Sequence, residues 1–109
     1  MAKTITITFE GTEYTLEFTR KSIQDMERNG FVASNIDSKP MTVLPDFFAG
    51  AFIAHHRFVK RDVIDRIFAH LKDKYLLVEK LAEMYNDPFE TLMGEPEDNE
   101  GNAAWGASW

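Results

Sequence analysis

Three histidines and a few carboxylates are the residues of this chain whose types invite chemistry. His55 and His56 adjoin, and His70 follows in the next apolar stretch. On a helix, neighbouring side chains diverge by about 100°, so this pair does not chelate one ion as an i, i+4 pair does. Neither an HExxH pattern nor a Cys/His spacing accompanies it. The plainer reading puts His55 on a core face with a hydrogen bond and His56 near a helix end. Asp62 and Asp65 lie beside Lys60, Arg61 and Arg66, the pattern of a solvated face with ordinary charge pairs rather than of a catalytic carboxylate pair. Gly30 and Gly50 stand alone, with no glycine-rich phosphate loop around them. The basic run from Arg57 to Arg61 is short and flanked by acids, a poor footing for a nucleic-acid groove. The expectation is a non-enzyme with no catalytic residue, no metal ligand and no cofactor.

Composition narrows the partners. A chain of 109 residues supplies one modest core, and its 44% hydrophobic and 28% charged residues are ordinary for a globular protein. Nine Phe are a large apolar load for that size, some of it available to a partner. Of the net charge of −6, the four acids Glu95, Glu97, Asp98 and Glu100 account for −4, leaving −2 on the rest. That balance disfavours nucleic acid or an anionic membrane as the main partner, since both demand a basic footprint. The absence of Cys excludes disulfide and thiol chemistry and suits a reducing compartment. Met1-Ala2-Lys3-Thr4 leads directly into alternating strand residues, and no apolar run approaches the roughly eighteen residues of a membrane span, so the cytoplasm is the expected location.

The predicted architecture is α+β and mainly α: an N-terminal β-hairpin, a small bundle of four to five helices forming one domain over residues 1–93, and a disordered acidic tail over 94–109. In residues 3–18, Ile5, Ile7 and Phe9 alternate with threonines, as do Tyr14, Leu16 and Phe18 with Thr15 and Glu17. A two-residue loop at Glu10-Gly11 pairs Phe9 with Thr12, Ile7 with Tyr14 and Ile5 with Leu16, which gathers the apolar sets on one face. Thr19 is placed to cap a helix over about 20–29, with Ile23 and Met26 inward, Gly30 at its left-handed end and Phe31 folding back. Ile36 anchors a polar connector. Thr42 is the expected cap of a central helix over about 43–57, with Pro45 in its first turn. Val63, Ile64, Ile67, Phe68 and Leu71 define a helix over 61–71. Leu77, Val78, Leu81, Met84 and Tyr85 define another over 75–86, which Asp87-Pro88 ends before a last short turn over 88–93 with Phe89, Leu92 and Met93.

Two features carry the weight of function. From Phe47 to His56 the central stretch has no fixed charge, and at helical spacing Leu44, Phe47, Phe48, Ala51, His55 and Phe58 share one side while Ala49, Gly50 and Ile53 occupy the other. Either this helix is buried on both sides, or its second side, with Ala49 and Ile53 and with Phe52 at the flank, meets another chain. The second feature is Trp105 and Trp109, whose i, i+4 spacing aligns them on one helical turn if the tail folds on a partner; the alternative is an unstructured end with incidental tryptophans.

The succession ITITFEGTEYTLEFTRKSIQDMERNGF, KPMTVLPDFFAGAFIAHHRFVKR, LLVEKLAEMYNDPFETLM and the acidic tail ending NAAWGASW resembles the tail assembly chaperones of long-tailed phages and related prophages of Gram-positive bacteria. The resemblance covers nearly the whole chain, and its most specific parts are the hairpin running into TRKSIQDMERNGF and the AGAFIAHHRF segment. It implies a non-enzymatic protein of the host bacterial cytoplasm, absent from the mature virion. Such a protein binds the tape measure protein, keeps it soluble and extended, and gives way to the major tail protein as the tube grows. It further implies a homo-oligomer and association with a longer form made by ribosomal frameshifting, this chain resembling the short form. A chaperone for a long helical client needs many weak contacts, which self-assembly of small subunits along the client would supply, through the outer side of the central helix or through strand addition at the hairpin edge. Two other classes stand beside this reading: a structural tail or head completion protein retained in the particle, and a small regulatory protein that binds a host factor through its acidic tail.

Overall fold

Alternation in the first twenty residues produces a two-stranded ribbon whose inner face becomes one wall of the core. The computed structural model describes residues 3–94 and 105–109. Strands β1 (Ile5–Phe9) and β2 (Thr12–Leu16) pair antiparallel in the expected register, with Phe9 opposite Thr12, Ile7 opposite Tyr14 and Ile5 opposite Leu16. The turn needs positive φ at both central positions, met by Glu10 at 50° and Gly11 at 79°. Ile7 and Leu16 are buried in the same core as the helices, so the ribbon packs on its own subunit.

Helix α1 (Arg20–Arg28) begins at Thr19, whose hydroxyl accepts from the Ser22 amide while the Ser22 hydroxyl accepts from the Thr19 amide. It ends where expected: Gly30 has φ of 94°, and the amides of Gly30 and Phe31 donate to the carbonyls of Glu27 and Met26. Ile23 and Met26 are its buried face, joined by Ser22. A short 3₁₀ turn (Ala33–Ile36) follows, with Ile36 half-buried against the core.

The central helix departs from expectation at both ends. Helix α2 spans Pro40–Gly50, with Lys39 rather than Thr42 at its cap. Pro40 starts it because its fixed φ is already helical and the amide it lacks had no partner there. Pro45 therefore falls inside the helix rather than in its first turn. After Gly50 the chain tightens: the amides of Ala51, Phe52 and Ile53 each donate to the carbonyl three residues back. Tertiary bonding explains the change, because the Ala51 carbonyl accepts from the Glu17 amide at 3.1 Å and the His56 ring accepts from the Thr15 amide at 2.9 Å. The outward-facing amides just along β2 are thus satisfied by residues that a regular helix would have turned elsewhere.

Helix α3 (Arg61–His70) buries Ile64 and Ile67, with Val63, Phe68 and Leu71 packed beside them. Helix α4 (Lys74–Met93) is one helix of 20 residues, so Asp87-Pro88 does not divide it as expected. Proline inside a helix forfeits one hydrogen bond and bends the helix without necessarily ending it. Leu81 and Met84 are fully inside, and Leu77 and Tyr85 pack against the core. The core is largely aromatic: Phe47 stacks on Phe18 at 5.2 Å and on Phe31 at 5.9 Å, Tyr85 meets Phe18 and Phe47 edge-on, and Phe48 touches Phe52 and Phe68. The architecture is α+β, mainly α. Of the expected tail, residues 95–104 lie outside the described residues.

Candidate functional site

The three histidines occupy separate settings. His56 is half-buried, holds the β2 amide through Nε2 and packs its ring on Tyr14 with centroids 5.3 Å apart. His55 is exposed, its Nε2 donating to the Glu17 carboxylate at 2.7 Å. This reverses the expected roles of the pair, because the turns after Gly50 no longer advance by 100° per residue. His70 donates through Nδ1 to the Arg66 carbonyl at 2.8 Å and lies against Phe9. Among the described residues no group of three or more His, Cys, Asp or Glu is placed to hold a metal ion. Asp65 pairs with Arg61 at 2.9 Å on an exposed face, as its neighbours in sequence suggested.

Ala49, Phe52 and Ile53 do come together, but not as an open surface. They line one groove of about 350 Å³ between the end of α1, the end of α2 and the start of α3, with Met26 and Phe31 opposite. Phe52 is only 1% exposed and belongs to the core, which corrects its reading as a flank residue for a partner. Ala49 and Ile53 are half-buried on the groove's wall. Gly50 lets α1 and α2 meet there: a Cβ would approach within 2.5 Å of the Met26 sulfur.

Three of the groove's lining residues, Asp46, Arg57 and Arg61, make charge pairs. Arg57 donates to Asp25 at 2.9 Å, and Arg61 bridges Asp46 at 2.8 Å and Asp65 at 2.9 Å. The hydrogen bond from Arg57 holds the Asp25 carboxyl below the usual carboxylate range against a smaller opposing effect of desolvation. For Arg61, partial burial disfavours the charge, but hydrogen bonds to Asp65 and Asp46 outweigh it and raise the pKa.

Exposed apolar area lies elsewhere. Phe58, expected on the core side, is 93% exposed on the loop before α3. At the N-terminal end of α4 Tyr75 and Leu76 face solvent, and at its C-terminal end Phe89, Leu92 and Met93 do so. Sequence reasoning missed the C-terminal part of this surface by ending the helix at Pro88. The signal was available, since Leu77, Leu81, Tyr85, Pro88 and Leu92 continue one stripe at helical spacing once the proline is allowed inside. In the chain alone Trp105 and Trp109 are exposed and in coil; their alignment on a helical turn is an expectation for the tail folded on a partner. No helix among the described residues is long and apolar enough to cross a membrane.

The chain belongs to the family described as Domain of unknown function (DUF5055), whose model matches residues 1–109. Comparison with the curated proteins and with the solved structures gave no match.

Proposed function

We propose that this chain is a phage tail assembly chaperone that holds a long helical client, the tape measure protein, soluble and extended in the host cytoplasm until the major tail protein replaces it. The observation that carries the reading is the apolar surface at both ends of α4, where Tyr75, Leu76, Phe89, Leu92 and Met93 are exposed on a helix whose middle is locked into the core. A helix of that kind offers two shallow contacts to a client rather than one deep pocket, and repeated copies, including the longer frameshifted form, turn weak contacts into avidity. This surface takes the place of the outer side of the central helix. The resemblance in sequence supplies the client's identity.

The test is co-expression with a tape measure protein. The client stays soluble with the native chain and precipitates with a Tyr75→Asp/Met93→Asp double variant that keeps its helical circular dichroism. Equal client solubility with and without the native chain would overturn the reading. Stoichiometric recovery of the chain from purified virions would replace it with that of a structural component of the particle.

A further inference from the structure

A second groove, of about 310 Å³, runs between α1 and the C-terminal half of α4. Ile23, Gln24 and Glu27 form one wall, and Pro88, Phe89 and Leu92 the other, with Arg20 at the edge. Its α4 wall extends the stripe that buries Leu81 and Met84, yet Phe89 is 38% and Leu92 51% exposed, so the stripe outruns the body that covers it.

The same chain carries the matching anchors. Trp105 and Trp109 stand 88% and 102% exposed, and large aromatic side chains are the most costly to leave in water. Their tether starts at Gly94, immediately past this wall, and the eleven peptide steps from 94 to 105 span up to about 36 Å. The groove lies only one helical turn back from Met93, about 6 Å along the axis, so the tether is ample. Residues 95–104 contribute four carboxylates and no cation, whereas Arg20 on the groove's α1 side makes no ion pair with a described residue.

We infer that the occupant of the α1/α4 groove is the chain's own segment 105–109, whose tryptophans fold back onto Ile23, Phe89 and Leu92. A short tether gives an effective concentration in the millimolar range, so even an affinity of about 1 mM keeps roughly half or more of the molecules closed. The docked tail covers Phe89 and Leu92, so it must leave the groove before any client reaches that end of α4; the inference does not depend on the identity of that client.

The sequence makes the experiment direct, because these two are its only tryptophans and selective indole excitation reads the tail alone. In the full chain, acrylamide quenching is expected to be about twofold weaker than for N-acetyltryptophanamide, and unchanged between about 1 and about 100 µM protein. Leu92→Asp should restore full quenching, and Phe89→Ser should do the same if the first variant loses its helical circular dichroism. Quenching equal to the free standard would overturn the inference, and so would protection that survives both substitutions. Protection that grows with concentration would also overturn it, showing instead that the tail sits in a second copy.

Discussion

Residues 47–56 and helix α4 each carry a large share of the molecule's apolar side chains, and they end in opposite circumstances. The first has no charged residue, and its aromatic members Phe47, Phe48 and Phe52 are at most 2% exposed. The second interleaves acids and lysines along 20 residues, yet keeps five large apolar side chains in water. Density of apolar residues therefore does not locate the surplus surface; length does. A helix of 20 residues is about 30 Å long, and the body buries only its middle, at Leu81 and Met84. The central stretch instead breaks after Gly50 and turns back into the core, which hides what a longer helix would have shown.

Substitution separates the two regions. Phe52→Ala should cost about 3–5 kcal/mol in urea denaturation, as expected for an aromatic side chain deleted from a packed core; a loss below about 1 kcal/mol would mean the central region is loosely held. Gly50→Ala should cost about 1–3 kcal/mol, since Met26 must shift its buried side chain, and combined with Met26→Ala the total loss should be smaller than the sum of the two single losses. By contrast Met93→Ser, at a residue 83% exposed, should leave the midpoint within about 0.5 kcal/mol of the native chain. The smallest effect concerns acid. Asp25 has its pKa lowered in the fold, so its contribution is complete above about pH 4 and is lost as pH falls through the lowered folded value. Arg57→Ala removes the main cause of that shift and should flatten the fall of stability below about pH 4, measured by thermal midpoints across the acid range.

The parts of this fold that were legible in sequence are those fixed by neighbours. The Glu10-Gly11 loop sets the ribbon's register, and Thr19, Gly30 and Phe31 bound α1 through local hydrogen bonds. Where a distant group competes, the reading failed. The central helix stops early because Thr15 and Glu17 claim its continuation, and that swap also exchanges the settings of His55 and His56. Pro88 does not stop α4, because in a long helix one missing amide is offset by the packing on either side of it. Of the partner surface foreseen at Ala49, Phe52 and Ile53, the grouping was legible but the exposure was not. Periodicity reports which residues share a side, and only the assembled neighbours decide whether that side is covered.

The bond from Thr15 to His56 joins residues 41 apart, so during synthesis the ribbon leaves the ribosome well before its outer rim can be sealed. At about 5–20 residues per second that interval is roughly 2–8 s. Throughout it, nascent chains on neighbouring ribosomes of one message would present the same unpaired backbone to each other, and β2 is the strand through which premature stitching would begin.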